Sequence, residues 1–193
     1  MEIERPVSRQ IMPSNARLVF KGVVFEVYQW EVTGYDGQKR VFEKLKRPDT
    51  VVVFPVTKEG KIVVARQEQP GREPFWGVEG GRINEGEEPL AAAQRELKEE
   101  TGYTSDNWQF WFGYQPVTKI DWAVYVFIAK NCQRAGQQEL DGAEKIKSTE
   151  VDFEEFMNMI SSGQLGSNQL RTKVLQSRLD SSKMEELRKL FLN

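Results

Sequence analysis

Histidine is missing from all 193 residues, and that one gap excludes a great deal. No Ser-His-Asp or Cys-His hydrolytic centre can be assembled, and no histidine-ligated zinc site. A base in this chain must be a carboxylate, a lysine, a tyrosine or a metal-activated water, and carboxylates are abundant, at 29 Asp plus Glu. Cysteine is nearly missing too. With Cys132 alone, neither an internal disulfide nor a cysteine cage for zinc can form. Cationic excess is also lacking: 27 Lys plus Arg leave a net charge of −2, too little for sequence-blind attraction to a nucleic-acid polymer. Any nucleotide recognised is expected to be a small molecule. No apolar run approaches the ~18 residues that would cross a bilayer. The opening stretch MEIERPVSRQ is charged where a signal peptide would be apolar. The expectation is a cytoplasmic protein with no membrane partner.

What is present suits one domain with an accessory subdomain. Residues 18–32 are rich in Val, Phe, Tyr and Trp, Gly34–Gly37 mark a turn, and Arg40–Lys46 read as a returning strand. These predict an N-terminal hairpin extension over residues 1–47, ahead of a catalytic domain at 48–193. Thr50–Val56 is a short, continuous apolar run, as for a buried strand, and Lys61–Arg66 should pair with it. Gln67–Arg82, with its Pro and Gly clusters, is expected to be mostly loop. Glu88–Thr101 is the best helix, with Pro89 in its first turn and Gly102 where it should stop. Strands are expected at 108–114 and 122–129, a long loop at 134–148, and helices at 153–161, 169–180 and 183–191. The fold class is α/β: a mixed sheet with helices on its faces.

One segment carries chemistry. Gly81–Tyr103 reads GRINEGEEPLAAAQRELKEETGY. On a helix, Glu96, Glu99 and Glu100 are three or four residues apart and point into one sector, and Glu87 can fold back from just before it. Like charges so spaced repel by roughly 0.2–0.5 kcal/mol per pair on an exposed helix. A bound hard cation reverses that sign. Mg²⁺ prefers oxygen ligands and completes its octahedron with water and substrate phosphate. Arg95 can pair with a neighbouring carboxylate and fix its rotamer.

Gly81, Glu87, Arg95-Glu96-Leu97, Glu99-Glu100 and Gly102 together resemble the Nudix box: Gly, five residues, Glu, seven residues, Arg-Glu-aliphatic-any-Glu-Glu, any, Gly, aliphatic. Tyr103 stands where the last aliphatic residue belongs. The resemblance implies the Nudix α/β/α sandwich and hydrolysis of a nucleoside diphosphate linked to a further group. It implies Mg²⁺, or alternatively Mn²⁺, on Glu96, Glu99 and Glu100, with Glu87 in support and the Gly80 carbonyl as a further ligand.

Outside the box, residues 19–176 resemble the ADP-ribose and nucleoside diphosphate-sugar pyrophosphatases. That likeness implies a homodimer formed through the N-terminal extension, with Phe25 and Phe42 against the base, and Tyr28 and Trp30 as alternatives. It places Arg66 near the substrate loop, although Glu68 and Gln69 stand where the branch carries an aromatic residue and an arginine. Arg66, Arg72 or Arg82 could then meet the phosphates, a planar guanidinium being suited to them. In GAEKIKSTEVDFEEF (142–156), Glu144 matches the loop glutamate that acts on the attacking water, with Glu139 as fallback. The catalytic set implied is Glu144, Glu99, Glu100 and Arg95. Other substrates, dinucleoside polyphosphates or nucleoside triphosphates, and a non-catalytic nucleotide sensor remain open alternatives.

Overall fold

The computed structural model describes residues 3–140 and 145–192. An N-terminal sheet comes first: β1 (Arg17–Lys21), β2 (Glu26–Thr33) and β3 (Lys39–Lys46) run antiparallel. The run at 18–32, expected as one strand, is two. Gly22 turns the chain, its N–H donating to the Phe25 carbonyl at 2.8 Å. A two-residue strand from later in the chain, β9 (Ile120–Asp121), adds in parallel to β3 and ties this sheet to the rest.

The larger sheet is mixed. Its spine is β4 (Thr50–Thr57), β5 (Ile62–Gln69) and β10 (Val124–Arg134), with β4 parallel to β10 and antiparallel to β5. Four further strands complete it: β7 (Tyr103–Thr104) and β8 (Asn107–Tyr114) against β10, and β6 (Arg72–Gly77) and β11 (Lys145–Val151) against β5. Strand alternation sorts the side chains into two cores. Val51, Val53, Tyr125 and Phe127 face α1 (Pro89–Thr101), where Ala92, Ala93 and Leu97 let the helix lie close. Phe54, Val56, Val126 and Ile128 face α2 (Phe153–Ser162), α3 (Asn168–Arg178) and α4 (Ser181–Leu192). Helices thus cover both faces, an α/β/α sandwich. Burying one large apolar side chain contributes about 1.5–3 kcal/mol, so these two layers supply much of the favourable free energy of folding.

Two expectations fail here. The stretch 67–82 is not mostly loop, because β6 (Arg72–Gly77) folds back on β5 through Gly71. Pro70-Gly71 is the turn of a hairpin. The polar stretch 134–148 likewise ends in β11, where strand pairing comes from backbone groups and only Ile146 and Val151 are buried. Helix α1 begins one residue late, with Glu88 as its N-cap, and stops at Gly102 in the left-handed conformation (φ 73°). Among the described residues, no helix is long and apolar enough to cross a membrane.

Candidate active site

The site is laid down by a strip of backbone that zips along β4. Val53 N–H donates to the Glu79 carbonyl (2.8 Å), Val51 N–H to Gly81 (2.9 Å), and Ile83 N–H to Asp49 (2.9 Å). This strip delivers Gly80 and Gly81 beneath α1. At Gly80 (φ +146°) a Cβ would stand 2.2 Å from the Val51 carbonyl oxygen, so only glycine fits. At Gly81 the space belongs to Glu96, whose Oε1 would be 2.3 Å from any Cβ placed there.

Three of the box carboxylates, those of Glu87, Glu96 and Glu99, converge on Arg95, and Glu100 does not join them. Its Nε and Nη2 each donate to Glu87 at 2.9 Å, and its Nη1 to Glu96 at 2.7 Å and Glu99 at 3.2 Å. The same Nη2 donates to the Arg82 carbonyl at 3.0 Å. One guanidinium therefore orients three acids and clamps the loop to the helix. The hydrogen bonds from Arg95 hold the Glu87 carboxyl below its usual range. Burial lifts that of Glu96 despite Arg95. Glu100 points the other way, accepting from Gly80 N–H at 2.7 Å through Oε2.

Beside Glu100 lies a residue the sequence reading passed over, Glu79. It is fully buried, no donor group reaches either carboxylate oxygen, and its side chain lies within hydrogen-bond reach of the Glu100 carboxyl. Burial pushes both carboxyls up, and for Glu100 the negative charge of Glu79 pushes further. No spacing rule marks Glu79; its role is visible only once β4 draws it under the helix. Among the described residues, no three acidic groups form a ready-made cation cage. The donor set nevertheless fits a hard divalent ion: carboxylate oxygens, a glycine-lined approach and an orphaned buried acid.

The other expected residues scatter. Phe25 and Phe42 are each 38% exposed. Phe42 packs on Trp30 (6.2 Å between centroids), and Phe25 lies against the Arg47 guanidinium (5.7 Å). Tyr28 donates its hydroxyl to Glu26 at 3.0 Å. Arg66 lies 5.7 Å from the Trp76 ring, and Arg72 3.3 Å from Phe75. Arg82 sits by the box, near enough to Arg47 that its charge, after burial, helps lower the latter's proton affinity.

Arg47 is a second residue missed from sequence. It lies between the Phe25 and Trp122 rings, 4.4 Å from the latter, with Nε buried and unpartnered. It lines a cleft of about 490 Å³ between the N-terminal sheet and the box loop, with Lys21, Lys46, Ile83 and Glu85. In sequence it is one more basic residue in Lys46-Arg47. Glu144 lies outside the described residues. The fallback Glu139 is drawn to the end of α1, its N–H donating to the Glu99 carbonyl at 2.8 Å, while Gln138 donates to that of Glu100 at 2.6 Å.

The family model of the NUDIX domain matches residues 46–170. An ADP-ribose pyrophosphatase of Bacillus subtilis (strain 168) is 32% identical over 156 residues, covering 75% of this chain and 80% of that protein. A methanol dehydrogenase activator of Bacillus methanolicus is 28% identical over 145 residues, covering 74% and 72%. The crystal structure of an ADP compounds hydrolase superposes with a TM-score of 0.68 over 92% of this chain and 95% of that one. At 20% identity this last likeness speaks for the fold alone.

Proposed function

From the premise that the chain belongs to the NUDIX family and is one of its pyrophosphohydrolases, we propose that it cleaves the diphosphate of ADP-ribose or a related nucleoside diphosphate sugar, using Mg²⁺ or alternatively Mn²⁺. The products would be a nucleoside monophosphate and a sugar phosphate. The carrying observation is the gathering of Glu87, Glu96 and Glu99 around Arg95, with Glu100 on Gly80 beside them. The relative from Bacillus subtilis supports the choice of substrate.

In this reading Glu96, Glu99 and Glu100 would hold the cation, with Glu87 and the Gly80 carbonyl in support. Such a cation neutralises phosphate charge and lowers the pKa of water. Arg95 fixes the rotamers of the acids. Arg82 and Arg47, two cations beside the cleft, meet the anionic diphosphate, with Arg66 further along. Phe25 and Phe42 offer aromatic faces to the base. Water attacks one phosphorus, its proton passes to a loop carboxylate (Glu144, or Glu139 as fallback), and the bridging P–O bond breaks.

The extension at 1–47 is assigned to base contacts and to a second copy of the chain. Ten of the thirteen exposed large apolar side chains among the described residues lie within the first 42, which favours this extension as the part a second copy would cover. The deciding experiment is a panel of ADP-ribose, nucleotide sugars, dinucleoside polyphosphates and nucleoside triphosphates with Mg²⁺, read out by product identity. Turnover of ADP-ribose or a nucleotide sugar, abolished in Glu99→Gln and Glu100→Gln, is expected. No hydrolysis of any member, or full activity of the double variant, refutes the assignment.

A further inference from the structure

Glu79 is the acid that the box glutamates do not account for. Its position is fixed at both ends: its carbonyl accepts from Val53 N–H at 2.8 Å, and the next N–H, of Gly80, is bound to Glu100. The side chain is fully buried, no donor group reaches either oxygen, and its polar neighbour is the Glu100 carboxyl, a state that is strongly unfavourable for two carboxylates. Were Glu79 merely filling space, an apolar side chain of similar volume would serve the fold better. Nor can Arg95 neutralise it, since all three guanidinium nitrogens are engaged by Glu87, Glu96, Glu99 and the Arg82 carbonyl. Two acids, one beside Gly80 in the chain and the other bonded to its N–H, are thus brought against each other, and among the described residues no lysine or arginine forms an ion pair with either.

We propose that Glu79 is a cation ligand, forming with Glu100 the inner wall of a divalent-ion seat that extends beyond the box glutamates. The proposal rests on reading this region as a divalent-cation centre, and adds a ligand to it. It also makes the ion part of the folded structure: cation binding and folding should be linked through Glu79.

The test uses the full chain, with Mn²⁺ as probe followed by paramagnetic resonance and calorimetric titration. Thermal unfolding is measured in parallel, in EDTA and in saturating Mn²⁺. Glu79→Gln should weaken Mn²⁺ binding about 10- to 100-fold, unfold in EDTA no earlier than the parent chain, and lose most of the Mn²⁺-induced rise in Tm. Glu79→Met, apolar and of similar volume, should do the same. If both variants bind Mn²⁺ within twofold of the parent, Glu79 is not a ligand and the proposal falls. If both are less stable than the parent in EDTA, Glu79 is structural and the proposal falls again. If the parent chain itself binds no Mn²⁺, the failure lies with the cation-centre reading.

Discussion

Replacing Arg95 by Met tests whether one guanidinium holds the site's acids together. The substitution keeps an apolar stem for packing and removes every donor. It strips Glu87 (side chain 16% exposed), Glu96 (13%) and Glu99 (42%) of their shared cation. Breaking a fully buried pair costs about 3–5 kcal/mol, and an exposed one contributes about 0–1. Arg95 is 28% exposed and Glu99 more so, which puts the loss at about 2 kcal/mol after discounting for solvent. For a chain of this size, about 2–4 °C of Tm follows each kcal/mol, so unfolding in EDTA should fall by about 4–8 °C. In saturating Mg²⁺ the bound charge replaces that of Arg95, and the fall should shrink by half or more. Calorimetry in the two buffers reads both numbers. An equal fall in both, or none in EDTA, would show that Arg95 only packs. Arg95→Lys should recover only part of the loss, because a point charge cannot bridge three carboxylates.

Three other outcomes follow from the geometry. Gly81→Ala places a methyl group 2.3 Å from Glu96 Oε1, so the acid must swing away; turnover should fall about 10- to 100-fold with the circular dichroism spectrum unchanged. Arg47→Ala removes the cleft cation that rests on Phe25 and Trp122 with Nε free of hydrogen bonds, and should raise KM about tenfold with kcat little changed, measured by steady-state kinetics on the substrate found. Burial pushes the Cys132 thiol up to about 11, leaving little thiolate at pH 8. Iodoacetamide should therefore leave the native chain unmodified and label the unfolded one, as read by mass spectrometry.

Some of this was legible in the letters and some was not. Helix α1 and the meeting of Glu96 and Glu99 at Arg95 follow from 3.6-residue periodicity, which acts over short distances, whereas Glu100, expected in the same sector, turns to Gly80 instead. Strand β4 was legible because a continuous apolar run has no other comfortable place. Strand β11 was not: its sequence KIKSTEV is polar, and the neighbour that makes it a strand, β5, lies about 80 residues away. The pairing of Pro70-Gly71 with a returning β6 was hidden for a similar reason, since punctuation marks a turn without saying what resumes after it.

The amino-acid order alone determined that hydrolysis here could not use histidine, that Glu96 and Glu99 lie within a turn of each other, and that Arg95 stands beside them. Each of these depends on neighbours within a few residues. Tertiary structure decided the rest. Only when 79–83 lies along β4 does Glu79 come to rest against Glu100 with no donor on either oxygen, and only when the N-terminal sheet meets the box loop does Arg47 join Lys21 and Lys46 in a cleft. Burial and charge pairing across long stretches of chain are properties of the packed molecule, and no local spacing encodes them.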